Sequence, residues 1–171
     1  MRQDQCQINP DPAPLNSINL MNKPTAKSSM LIRRPPRAVF DAFASADTIT
    51  RFWLTRTSGP LAPDAVVNWE FMMPGAKETV TVTGFDVGRR IAFTWSSGLK
   101  VDMLFEPYRD DATRVTVTVG AFEDKNLLEQ VAGVVEGFSI VLSDLKTLLE
   151  QGRSANLVRD KAELLATSPG S

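Results

Sequence analysis

The chain has 171 residues, 43% of them hydrophobic and 23% charged, with a net charge of −1. That length suggests one domain with tails, at roughly 150 residues per domain. The balance of 19 basic against 20 acidic residues argues against nucleic acid as the main partner, because phosphate binding needs a surplus of cations. The absence of histidine removes the usual general base, the Ser-His-Asp triad and nearly all common zinc sites. The single Cys6 removes an intramolecular disulfide and Cys-based zinc. Neither a metal nor a cofactor is expected.

All thirteen aromatic residues lie between Phe40 and Phe138, while the first 29 residues hold four of the eleven prolines, Pro10, Pro12, Pro14 and Pro24. With no aromatic to bury, residues 1–27 read as a disordered tail. Met21 and Met30 are candidate translation starts, so the tail is as much a candidate artefact as a functional arm. No apolar run of about 7–15 residues opens the chain as in a signal peptide, and none is long enough to span a membrane. A soluble cytoplasmic protein is expected.

Residues 29–34 form a strand candidate ending at Pro35-Pro36, since the residue before proline is extended and proline suits a first helical turn. Val39, Phe40 and Phe43 then recur at helical spacing, predicting a helix over 36–45. Asp47 is the expected cap of a second short helix through about Trp53. Gly59-Pro60 and Pro63-Asp64 mark a loop. Five alternating segments follow, centred on Trp69, on 79–85, on Phe93, on Met103 and on Val117, joined by short polar turns as in an antiparallel meander. From Leu127, an apolar stripe through Val131, Val134, Phe138, Val141, Leu145 and Leu148 predicts an amphipathic helix of about 25 residues. Gly152 stops it, and residues 154–166 predict a weaker helix. Helices on one side of an antiparallel sheet make an α+β domain, and a long helix over a curved sheet leaves a cleft suited to small apolar ligands.

Several local patterns resemble one family. Ile32-Arg33-Arg34-Pro35-Pro36-Arg37-Ala38-Val39-Phe40-Asp41-Ala42-Phe43 is similar to the opening of START-like, helix-grip proteins, in the branch named after the activator of Hsp90 ATPase homologue. Arg51-Phe52-Trp53, Arg89-Arg90-Ile91-Ala92-Phe93-Thr94-Trp95, Phe105-Glu106-Pro107, Thr113 to Thr118, and Gly137-Phe138 with Leu142, Leu145-Lys146 and Leu149-Glu150 follow in the branch's order. The resemblance covers about residues 29–152. It implies a curved antiparallel sheet wrapped around a long C-terminal helix, with two short helices after the first strand. The divisions it suggests are a 1–27 tail, a 28–152 helix-grip domain and a 153–171 extension. The chain departs from the branch near Val119, where a histidine is frequent, and at Phe138, where tryptophan is usual. The branch includes co-chaperone-like and stress-response proteins, lipid binders and polyketide cyclases, so the fold does not fix the function.

The expected cavity wall is Trp53, Trp69, Phe71, Phe93, Trp95, Met103, Phe105, Val134, Phe138 and Val141. Core packing is the competing account of these residues, and it is preferred for Phe40, Phe43 and Phe85. Gly133 and Gly137 share one face of the long helix. Each costs roughly 1 kcal/mol relative to alanine, and close packing or an interface is preferred over a ligand as their reason. Asp102 and Glu70 alternate with polar neighbours and read as outward-facing. Tyr108 reads as a rim residue, and Arg33, Arg34 and Arg37 as a solvated patch. No phosphate-loop, nucleophile-elbow or metal-protease motif occurs. The leading expectation is binding of a small hydrophobic molecule or a protein client. A cyclase- or hydrolase-like enzyme acting on a hydrophobic substrate is the alternative, and an Hsp90 co-chaperone-like or regulatory partner is the third. A homodimer or other protein partner fits any of these, and no catalytic residue stands out.

Overall fold

The computed structural model describes residues 23–123 and 125–167. Residues 1–22, most of the expected tail, lie outside them. Strand β1 (Ala26–Ile32) leads to α1 (Pro36–Ala44) and α2 (Ala46–Ile49). Six strands follow: β2 (Leu54–Thr57), β3 (Val66–Phe71), β4 (Lys77–Asp86), β5 (Arg90–Trp95), β6 (Lys100–Pro107) and β7 (Thr113–Gly120). Helices α3 (Leu127–Gln151) and α4 (Leu157–Thr167) end the described chain. The seven strands make one antiparallel sheet in the order β1-β7-β6-β5-β4-β3-β2. This is the helix-grip arrangement, with α3 held across the sheet.

Three local expectations are corrected. β1 starts at Ala26, which is 2% exposed and opposite Val119. The sheet therefore takes Ala26 and Lys27 from the segment read as tail, because pairing with β7 supplies the order that aromatics do not. α2 ends at Ile49 rather than near Trp53, and the chain goes directly into β2. That strand escapes a pattern search because it is a four-residue edge strand with one buried anchor, Leu54, and a register irregularity against β3. Finally, Ser45 caps α2: its Oγ accepts from the Thr48 amide at 3.3 Å, while Asp47 sits in the first turn. Ser45→Ala removes that acceptor and is expected to cost about 1 kcal/mol, read as a lower denaturation midpoint at unchanged slope.

Gly84 breaks the alternation of β4 for a steric reason. A Cβ there would meet the Arg90 guanidinium at 2.9 Å and Ala92 Cβ at 3.2 Å, beside the register shift between Val82 and Gly84. At the far end of α3, Burial alone would push the Glu150 carboxyl up. The Arg33 amide and the Lys146 ammonium donate to it and hold it below the ordinary carboxylate range instead. Lys146 also donates to the Leu31 carbonyl at 2.8 Å, so this cluster ties α3 to the end of β1.

The stripe on α3 is buried along only part of its length. Phe138, Val141, Leu142, Leu145 and Leu148 are buried against the sheet, whereas none of the residues from Leu127 to Gly137 is. A chain of aromatic contacts threads the core and ends under that uncovered half. It runs Phe85–Phe40 (5.1 Å between ring centres), Phe40–Phe105 (5.5 Å), Phe105–Phe43 (5.8 Å), Phe43–Trp53 (6.0 Å) and Trp53–Phe138 (5.5 Å).

Candidate functional site

Under the first half of α3 lies an open groove of about 880 Å³. Trp53, Phe71, Trp95, Phe138 and Val141 give it an aromatic and aliphatic floor. Met72, Met73 and Ala76 come from the β3–β4 turn and Leu99 from the β5–β6 turn. Thioethers are polarisable and adapt to ligand shape. Trp95 and Phe138 stack at 6.0 Å and 9°, and Trp53 meets Phe138 edge-on. The ionisable lining residues are Glu123, Lys125, Glu129, Glu136 and Lys161, and Lys161 pairs with Glu136 at 2.7 Å.

Of the ten residues expected on the wall, Trp53, Phe71, Trp95, Val134, Phe138 and Val141 line this groove. Trp69, Phe93, Met103 and Phe105 do not. They are at most 2% exposed and belong to the core beneath. Alternation identifies which face of a strand is apolar, but the stretch of that face left open depends on where the helix crosses. The rings of Trp95 and Phe138 are packed together, so the open space lies beside this pair and not between its members.

Close packing within the chain is not the reason for the two helix glycines. Gly133 and Gly137 line the groove, and a Cβ at either would meet nothing within 4 Å. They leave space open instead of permitting a close contact. Trp95 carries the one buried side-chain polar atom without a hydrogen-bond partner among the described residues, its Nε1. An unpaired buried donor costs about 1–3 kcal/mol.

Sequence reasoning did not single out Asp144, the one carboxylate on the buried stripe, at 0% exposure. Its Oδ1 accepts from Ser154 Oγ at 2.6 Å and the Ala155 amide at 3.0 Å, and its Oδ2 accepts from the Val158 amide at 3.3 Å. A carboxylate accepting from the first turn of α4 is a helix cap supplied from another helix. The signal was available: an acid in register with Val141 and Leu148, and a Ser-Ala-Asn segment ahead of a helix. Helix α4 adds Val158, Lys161, Ala162 and Leu165 to the groove wall.

The remaining candidates have ordinary partners. Asp102 takes a forked contact from Arg90, with the shortest distance 2.6 Å, and this hydrogen bond pushes the Arg90 guanidinium up. Glu70 is paired with Arg56 and Lys77 on the outer face. Arg109 lies over the exposed Tyr108 ring at 5.4 Å. Arg33 pairs with Glu150 and Arg37 with Asp41. No group of three or more metal-ligating side chains occurs among the described residues, and no helix there is long and apolar enough to cross a membrane.

The model of the family described as Activator of Hsp90 ATPase homolog 1-like protein matches residues 33–150. No curated protein matches the chain. Among solved structures, SSP2350 from Staphylococcus saprophyticus is similar at 26% identity and a TM-score of 0.68, over 76% of this chain and 94% of that one. The Aha1 dimer from Colwellia psychrerythraea is similar at 17% identity and a TM-score of 0.68, over 76% and 98% of the two chains. An AHSA1-like protein from Aeromonas hydrophila is similar at 24% identity and a TM-score of 0.57, over 74% and 93%. At their identities the last two speak for the fold alone.

Proposed function

The chain belongs to the family of Activator of Hsp90 ATPase homolog 1-like proteins, and on that premise we propose that it binds a small, ring-bearing hydrophobic molecule in the groove under α3. The observation that carries this reading is an aromatic floor left uncovered beneath a helix that has two glycines on the same groove. Each glycine costs the helix roughly 1 kcal/mol, and no neighbouring group needs the space they leave. A ligand would use that space. Flat rings suit a floor of Trp53, Phe71, Trp95 and Phe138.

Gly137 provides the test. Gly137→Ala has room for its methyl group and is expected to stabilise the domain by about 1 kcal/mol. Gly137→Leu fills the groove and is expected to weaken binding of Nile red, a flat uncharged dye, by about tenfold or more. Fluorescence titration beside denaturant melts reads both. A Gly137→Leu protein that binds the dye as well as the parent overturns the groove as the site.

A second copy is the other occupant with an observation behind it. Leu128, on the overhanging half of α3, is 86% exposed, and the Colwellia Aha1 was solved as a dimer. Light scattering with and without dye separates the two readings: a dimer that dissociates on Leu128→Glu, with dye binding unchanged, assigns this face to a protein partner.

A further inference from the structure

We propose that α4 is the selectivity wall of the groove and that Asp144 is the positioning residue that holds it there; this inference rests on the groove being the ligand site. α4 begins at Leu157, beyond residue 150, where the match to the family ends. It lies outside the matched segment, yet it supplies Val158, Lys161, Ala162 and Leu165 to the groove.

Apolar packing alone is a weak anchor for this helix. Ala162 is its one buried residue, Val158 is partly buried against the core, and Leu165 is 48% exposed. One methyl group and part of a valine stabilise little against the conformational entropy of ordering an eleven-residue helix. Polar contacts do the fixing. Asp144 accepts from the Ser154 hydroxyl and from the amides of Ala155 and Val158. Thr147 Oγ1 accepts from the same Ala155 amide at 3.1 Å. The linker is sharply bent, with Gly152 and Asn156 both in the left-handed region at φ 77° and 62°, so the chain itself permits other helix directions. The buried carboxylate selects one. Lys161 then reaches Glu136 on α3, giving α4 a second tether beside the groove.

The consequence is a division of labour. The segment that matches the family provides the aromatic floor, and the helix beyond it sets the width of the space above. Asp144 is not among the groove residues, so its loss acts on a ligand through the helices it joins, and the protection of α4 reads that route.

The experiment uses the full chain, Nile red titration and amide hydrogen exchange on the parent, Asp144→Ala and Leu165→Ala. In Asp144→Ala the amides of 155–165 are expected to lose protection while those of β4 to β7 keep theirs, with dye affinity falling about tenfold. Leu165→Ala, at a half-exposed position, is expected to leave stability unchanged and to weaken the dye about threefold. Should Asp144→Ala fail to fold, Ser154→Ala, which removes one donor to the carboxylate, is read for α4 protection in its place, and Leu165→Ala reads the wall. Unchanged protection of α4 in Asp144→Ala overturns the positioning role, and unchanged dye affinity in Leu165→Ala overturns the wall. A parent protein that binds no dye counts instead against the groove as a ligand site, so the two failures are distinct.

Discussion

Leu145→Asp is expected to abolish the native fold, while Val134→Asp on the same helix leaves it folded and loses the dye. Leu145 is 0% exposed in the seam between α3 and the sheet. A carboxylate there loses its water among apolar neighbours, a cost of several kcal/mol even after relaxation. The lost leucine packing adds about 2–5 kcal/mol. Together these approach or exceed the total stability of a typical domain, about 5–15 kcal/mol. Val134 belongs to the same sequence stripe, and periodicity alone predicts the same fate for it. It is half-buried on the groove wall instead, where a charge keeps contact with water. Its aspartate should therefore melt near the parent temperature and impair binding of an apolar probe. Circular dichroism melts of the two variants check the contrast. A folded, cooperative Leu145→Asp protein would mean that the seam is not where the structure places it.

That pair also shows how far the sequence could be read. Strand alternation at Trp69, Phe93 and Met103 located the apolar face of the sheet, and the spacing from Leu127 to Leu148 located the apolar face of α3. Both are local periodicities that a backbone imposes on its own side chains. Where the groove begins is not local. It depends on α3 having fully buried residues only from Phe138 onward, although β1 already reaches Val135 through Ser28. Periodicity therefore placed on the wall Trp69, Phe93, Met103 and Phe105, which are buried in the core beneath it, Phe105 against Phe40 and Phe43 of α1. It also could not assign Met72, Met73 and Leu99, which come from turns and have no period to betray them.

The missed elements have the same origin. β2 is a strand because β3 offers it an edge, and its Leu-Thr-Arg-Thr sequence holds one buried residue. Asp144 looks like an acid misplaced on an apolar stripe until the amides of a later helix are brought to it. Gly133 and Gly137 were visible as anomalies, but whether a helical glycine meets a neighbour or faces a void is decided across the groove and not along the chain.

Phe138→Ala is expected to cost about 3–5 kcal/mol and to change the spectrum of the tryptophans around it. The ring is 4% exposed. It is stacked on Trp95 at 6.0 Å and meets Trp53 edge-on at 5.5 Å. Aromatic pairs of this kind add about 0.5–1.5 kcal/mol beyond the area they bury, so truncation should fall toward the upper part of the range. Phe138→Leu separates the two contributions: it keeps most of the apolar volume and loses the ring pairs, and should cost less. The void left by alanine adjoins a groove that is already open, so water can enter it. Trp95 and Trp53 then lose an apolar neighbour, and their emission should move to longer wavelength in the folded protein. Nile red should still bind Phe138→Ala, with altered affinity, because Trp53, Phe71 and Trp95 remain on the floor. Equilibrium denaturation followed by tryptophan emission measures stability and environment in one titration. A cost near zero with unshifted emission would show that Phe138 does not join the core to the groove.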